Sequence, residues 1–328
     1  MQLPPALRAA IDRELEGVPL RDLTMAAERL SQRYRAEIRD GRLHIDDGLA
    51  ARAYLTTRLP ATFAAIAASL AALAEILPGF HPRSVLDIGA GPGTATWAAA
   101  STWESVAEAV LVEASPAIRE IGTRLAGALP LRCAWQAESL ADGLRQCPGS
   151  DLVVMAYVLD ELEPARRAAV IARLWELAAG AVLIVEPGTT EGWKRILAAR
   201  DQLLAGGAQI LAPCPHDRPC PLSPPDWCHF AARVARSRLH RVAKAGTVPW
   251  EDEKFIYLAA SRSAPAAPLA RILAPPQHGK AGVRVKLCHP SGALAERNVA
   301  KRDGVIFKAV RKLGWGDRFP DEDRPETH

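Results

Sequence analysis

No secretory leader is expected for the 328-residue sequence, since a continuous apolar core and a small-residue cleavage site are both missing near its start. Asp12, Glu14 and Glu16 are the acidic residues that an import presequence avoids. The expectation is therefore a cytoplasmic protein in a reducing compartment, where clustered cysteines bind metal more often than they form disulfides. Internal repeats are absent, which excludes solenoid and propeller architectures. Also missing are the close Cys-x-x-Cys pairs that usually build structural zinc sites. The one long apolar run, Ala61 to Leu77, is Ala-rich, short for a membrane span and interrupted by Glu75, so it reads as a packed helix.

What is present is ordinary globular composition, 49% hydrophobic and 24% charged, which excludes a disordered chain. The formal net charge is +4, but it is unevenly spread. From His229 to Arg318 there are 18 Lys+Arg against 6 Asp+Glu, a balance of 18 − 6 = +12, leaving 4 − 12 = −8 for the rest. A basic carboxy-terminal third is either a solvated face or the footprint of a polyanion such as RNA.

Three regions follow from the patterning. Residues 1–78 carry apolar positions at helical spacing and read as an N-terminal helical region, with Pro60 breaking or kinking its last helix. Residues 79–262 alternate short apolar strands with helical stretches: "SVLDI", "EAVLVEAS", "LRCAW", "DLVVMAYVLDEL" and "AVLIVEPG", with "DEKFIYLAAS" closing the sheet. That alternation predicts an α/β fold, a parallel Rossmann-like sheet with helices on both faces. The run 212–230 inserted within it is too rich in proline for regular structure and carries three cysteines. Residues 263–328 open on a Pro/Ala linker and read as a small, basic, β-rich module with turns at "PSG" and "RDG" and a disordered tail.

"VLDIGAGPGT" sets Asp87 at a strand end, followed by Gly89, Gly91 and Gly93. Glycines at alternate positions let the backbone turn tightly and approach a ligand closely. The Gly-x-Gly-x-Gly spacing resembles motif I of class I methyltransferases, which implies S-adenosylmethionine as cofactor. Glu113 ends the next strand, where a carboxylate can accept from two adjacent ribose hydroxyls, and Glu138 follows the third strand near the expected adenine edge. Methyl transfer needs an aligned nucleophile and often a base. The Asn/Asp-Pro-Pro-aromatic run of enzymes that methylate exocyclic amines is replaced by "AYVLDELEP". Asp160 or Glu161 could serve as base, cap or surface acid, so no catalytic residue is assigned.

Cys214, Cys220 and Cys228 fall within fifteen residues of Pro-rich loop, and Cys288 lies 60 residues beyond the last of them. Exposed thiols there would be reactive without a ligand, and a metal would supply folding energy that the loop lacks. The open spacing suits an iron–sulfur cubane, with zinc the alternative. His216, His229 and His289 stand beside these cysteines as neighbours or substitute ligands, whereas Cys133 and Cys147 fall outside the pattern.

These stretches, with "LIVEPGT", "CPHDRPCPL", "DWCHF", "VPWEDEKFIYLAASR" and "VKLCHPSG", make the chain resemble, over about residues 40–319, a bacterial-type member of the small-subunit ribosome assembly family that includes mitochondrial methyltransferase-like protein seventeen. The resemblance implies a 4Fe-4S cluster on Cys214, Cys220, Cys228 and Cys288. It also implies association with the small ribosomal subunit or its rRNA, with cofactor binding but doubtful turnover. Two other readings stand beside it: an active methyltransferase of rRNA or a ribosomal protein, and a redox or iron sensor whose cluster gates RNA binding. No membrane or secreted partner is expected.

Overall fold

The computed structural model describes residues 1–35, 43–138, 144–243, 247–263 and 268–320. The expected linker and tail, 264–267 and 321–328, lie outside the described residues. Four helices come first: α1 (Pro5–Leu15), α2 (Leu20–Arg35), α3 (Gly48–Thr57) and α4 (Leu59–Ile76). Asp47 caps α3 by accepting from Ala50 N at 2.6 Å. Pro60 sits in the first turn of α4, where its missing N–H costs nothing, so the chain breaks at Arg58 rather than kinking later. By length and composition α4 could cross a membrane, but most of it is buried against the sheet, with Phe63, Ile66, Leu70 and Leu73 almost inaccessible. An Ala-rich helix packs this closely because its small side chains let the backbone approach.

Then strands and helices alternate: β1 (Ser84–Ile88), α5 (Thr94–Thr102), β2 (Glu108–Val112), α6 (Pro116–Ala126), β3 (Arg132–Gln136), β4 (Ser150–Ala156), α7 (Pro164–Leu177), β5 (Ala178–Pro187), α8 (Thr190–Ala205), β6 (Gln209–Ala212), β7 (Phe230–Ala235), α9 (Arg238–Ala243) and β8 (Trp250–Ser261). The sheet order is β3-β2-β1-β4-β5-β8-β6. β1 to β5 run parallel, and β8 enters antiparallel beside β5. This is the expected α/β Rossmann-like sheet, with "DEKFIYLAAS" closing it. β8 is long enough to pair on its far side with β7 through its first half and β6 through its second. β7 and α9 carry no strong periodicity and are found only in the structure.

The strand order reverses between β1 and β4. Right-handed crossovers therefore put α5 and α6 on one face and α7 on the other, leaving a crevice at the carboxyl ends of the strands.

Between β6 and β7 the chain runs from Pro213 to His229 without helix or strand, as its proline content dictates. Beyond the main sheet, β9 (Arg271–Ile272), β10 (Gln277–His278), β11 (Gly282–Cys288) and β12 (Leu294–Ala300) form a second, antiparallel sheet followed by α10 (Gly304–Val310). Val283, Val285, Leu287 and Val299 share one face of the β11–β12 pair and bury against Val310 and Phe319. At the hairpin tip, a Cβ on Gly292 would come 2.8 Å from Cδ of Arg218, so the turn sits directly on the proline-rich loop. The ion pair of Lys286 with Asp226 holds the same two parts together.

Candidate functional site

A cavity of about 360 Å³ opens over the strand ends at the reversal point. Its floor is the turn after β1. Gly89, Gly91 and Gly93 all have positive φ, and at Gly89 a Cβ would meet Cγ2 of Val158 at 2.4 Å. Only glycine fits there. The N–H of Gly91 donates to Oε2 of Glu113 at 2.8 Å, and the N–H of Ser115 donates to its Oε1 at 2.7 Å. Burial pushes the Glu113 carboxyl up, and these two backbone donors pull it back.

Gly89, Gly91, Glu113 and Glu138 line the cavity; Asp87 and Gly93 do not. Asp87 is 2% exposed, and its Oδ2 accepts from both the N–H and the hydroxyl of Thr96, at 3.0 and 2.9 Å. It braces the glycine turn against the first turn of α5 from behind the wall. Burial raises its carboxyl to about 7 against the lowering effect of Thr96. Gly93 precedes α5 with φ of 84° and packs on Leu111 and Trp135. Both are expected among the cofactor-binding residues; in the structure they stand behind the turn rather than in the cavity lining.

The N-terminal helices roof the cavity, a contribution no motif announces. Tyr34 of α2 stacks on His44 with centroids 4.8 Å apart, and the Arg58 guanidinium lies 5.3 Å from the Tyr34 ring. The roof is tied to the sheet by Ser115, whose hydroxyl donates to Ile45 O at 2.7 Å. Opposite stands Tyr157, the residue after β4, with a left-handed φ of 59°. Its hydroxyl donates to Oε1 of Glu253 at 3.0 Å. A bulky residue held at positive φ stores strain, a frequent mark of functional positions. Asp160 and Glu161 also face the cavity. Burial, then repulsion from Asp160, Glu113 and Glu186, pushes Glu161 upward, while a side chain still 40% accessible toward the cavity moderates that shift.

The second site is a pocket beneath the proline-rich loop. Cys214, Cys220, Cys228 and Cys288 all line it, with apolar Trp193, Ile196, Ile256 and Leu258 around them. The end of β11 carries Cys288 to the three loop thiols. Burial raises the thiols of Cys214, Cys228 and Cys288, the last to about 12, and Arg200 or Arg271 opposes each rise. Among the described residues, no group of three or more His, Cys, Asp or Glu side chains is drawn together to hold a metal ion. His216 sits with Nε2 3.3 Å from the Cys288 sulfur, and burial and then Arg200 push its pKa down. His229 stacks on Trp227 and meets Trp315 edge-on, and His289 bonds to Ser291. Cys133 and Cys147 lie outside the pocket.

The family model of the mitochondrial small ribosomal subunit protein Rsm22 matches residues 48–320. The human mitochondrial ribosome assembly protein METTL17 is 30% identical over 291 residues, covering 81% of this chain and 62% of that protein. A mitochondrial Rsm22-cox11 tandem protein of Schizosaccharomyces pombe is 24% identical, covering 84% of this chain and 44% of the relative. The chain thus spans less than two thirds of the length of these relatives. Among solved structures, an O-methyltransferase family protein from Burkholderia thailandensis is 13% identical with a TM-score of 0.46, covering 75% of this chain and 72% of that one.

Proposed function

The chain belongs to the Rsm22 family, and on that premise we propose that it is an assembly factor of the small ribosomal subunit that holds S-adenosylmethionine over the glycine turn and a 4Fe-4S cluster in the thiol pocket. One observation carries the reading: Cys288 and the three loop cysteines line one buried pocket although 60 residues of chain separate Cys228 from Cys288. Neutral thiols gain little from such convergence, whereas thiolates shared by a metal centre gain the folding energy that a proline-rich loop lacks.

The donor set, four thiols lining one pocket, suits thiolate-bound metal. Zinc takes four ligands each about 2.3 Å from one centre, whereas four thiolates on four separate irons ring a larger body. Cys214, Cys220, Cys228 and Cys288 would each hold one iron, staple the second sheet to the main one, and so fix the basic carboxy-terminal third for contact with rRNA phosphates.

In the cavity, Glu113 would accept from the ribose hydroxyls, Glu138 would lie toward the adenine, and the Gly89–Gly91 backbone would admit the methionine end. When bound, S-adenosylmethionine supplies an electrophilic methyl group. Glu161 and Tyr157 are among the polar side chains lining the cavity that could meet an acceptor. Burial and the neighbouring carboxylates push the Glu161 carboxyl up, so it takes a proton more readily than an ordinary glutamate.

The test is anaerobic purification of the full chain with iron, sulfide and zinc analysis, a visible spectrum, and capture of small-subunit material at low salt. Stoichiometric iron and sulfide, lost in Cys288→Ser together with subunit binding, is the expected result. Protein that is fully folded without metal, or that captures no ribosomal RNA, overturns the reading. Radiolabelled methyl transfer to small subunits above a Gly91→Arg control would instead make it an active methyltransferase.

A further inference from the structure

Arg200 is the one charged side chain that lines the thiol pocket. It is 1% exposed and among the largest fully buried side chains of the protein. Its Nη2 donates to the carbonyls of His216 and Arg218, at 2.8 and 2.7 Å, so it spans from α8 to the cysteine loop. Its only ion-pair neighbour among the described residues is Asp201, 3.7 Å away and 76% exposed, a partner that solvent screens. Its Nε is buried with no hydrogen-bond partner.

Arg271 repeats the arrangement from the other side. It is 3% exposed, donates to Pro213 O at 3.2 Å and Gly316 O at 2.8 Å, and has no carboxylate within ion-pair distance among the described residues. Its strand pairs directly with the end of β11, where Arg271 faces Cys288.

A buried guanidinium without an anion is among the most costly things a fold can contain. Carbonyl groups solvate these two cations but leave their charge uncancelled. Apart from solvent-exposed Asp201, the groups beside Arg200 that can become anions are the four thiols of the same pocket. Four thiolates around a dipositive metal centre, cubane or zinc, carry a net double negative charge, which two guanidinium groups match.

We propose that Arg200 and Arg271 are the built-in countercharges of an anionic metal–thiolate centre. This rests on the reading of the thiol pocket given above. Arg200 and Arg271 are positioning residues: they hold the loop carbonyls and the field around the centre, and they ligate nothing. For an iron–sulfur centre the field favours the more negative, reduced state, so it raises the one-electron reduction potential.

The test compares full-length wild type, Arg200→Met, Arg200→Lys and Arg271→Met, all purified anaerobically. Metal release to a chelator is timed, and iron-loaded samples are titrated with dithionite as the reductant. Arg200→Met should release metal about 10- to 100-fold faster, the usual effect of removing a group that supports metal ligands. Its potential should fall by about 59 mV or more, a tenfold change in the reduced-to-oxidised ratio. Arg271→Met should shift both readouts in the same direction, while Arg200→Lys, which keeps the charge, should hold a potential near wild type.

Wild-type retention and potential in both Met variants overturns the proposal. Should Arg200→Met not fold, Arg271→Met decides, and an unchanged potential there overturns it equally. If the wild type holds zinc, the release rates alone decide. A wild type that holds no metal overturns the reading of the pocket itself; a metal-bearing wild type with insensitive variants overturns only the countercharge.

Discussion

The indole N–H of Trp227 donates to the carbonyl of Gly188 at 3.1 Å. Trp227 immediately precedes Cys228, and Gly188 sits between Pro187 and Thr189, two residues that line the cavity over the glycine turn. One hydrogen bond thus links the chain beside each of the two candidate sites. Gly188 can make this contact only because it has no side chain: a Cβ there would lie 2.7 Å from Phe255 N.

Trp227→Phe keeps the stacking on His229 and removes the donor. The expected loss is about 0.5–1.5 kcal/mol in urea unfolding. Calorimetric titration with S-adenosylmethionine should also show weaker binding, since the end of β5 loses its tether. Unaltered stability would mean that water replaces the indole at no cost.

Gly89→Ala should destabilise the chain by about 1–3 kcal/mol, because a Cβ meets Val158 at 2.4 Å and φ is +66°. Val158→Ala should relieve the clash but not the strained φ, so the double variant should recover part of the loss. Full additivity of the two single effects in thermal unfolding would show that the contact is not the cause.

Asp87 gives the protein a pH signature of defined sign. Its folded carboxyl titrates at about 7 against an ordinary value of 3.8, so the folded state binds more protons than the unfolded state between those values. Its stabilising contribution is complete below about 4 and is lost as pH rises through about 7, with a slope of at most about 1.4 kcal/mol per pH unit. Asp87→Asn retains a carbonyl to accept from Thr96 and removes the titration. The wild-type-minus-variant difference in unfolding free energy should therefore fall between pH 4 and 7; a flat difference would exclude this group as the source.

Ser115→Ala removes two contacts at once: the N-cap of α6, where the hydroxyl accepts from Ile118 N at 3.4 Å, and the bond to Ile45 O that fastens the roof. A loss of about 1–2 kcal/mol is expected. Hydrogen exchange should quicken in α3 more than in β1, whereas uniform quickening would point to global destabilisation alone.

The sequence by itself determined the sheet and the floor of the first site. Strands of five to seven apolar residues and the alternating glycines of 85–94 are local signals, and local signals survive without knowledge of the fold. The loop cysteines were equally legible, because three thiols among prolines within fifteen residues have few uses. Tertiary structure alone decided the rest. Asp87 reads as a ligand contact in the sequence but turns behind the wall, because successive strand residues face opposite sides of the sheet. Tyr34, His44, Tyr54 and Arg58 reach the cavity only through helix packing, which spacing along the chain does not encode. Arg200 and Arg271 belong to ordinary helical and strand patterns, and nothing in a sequence distinguishes an arginine that faces water from one buried in the interior. That distinction is electrostatic, and it exists only once the low-dielectric interior has formed around the charge.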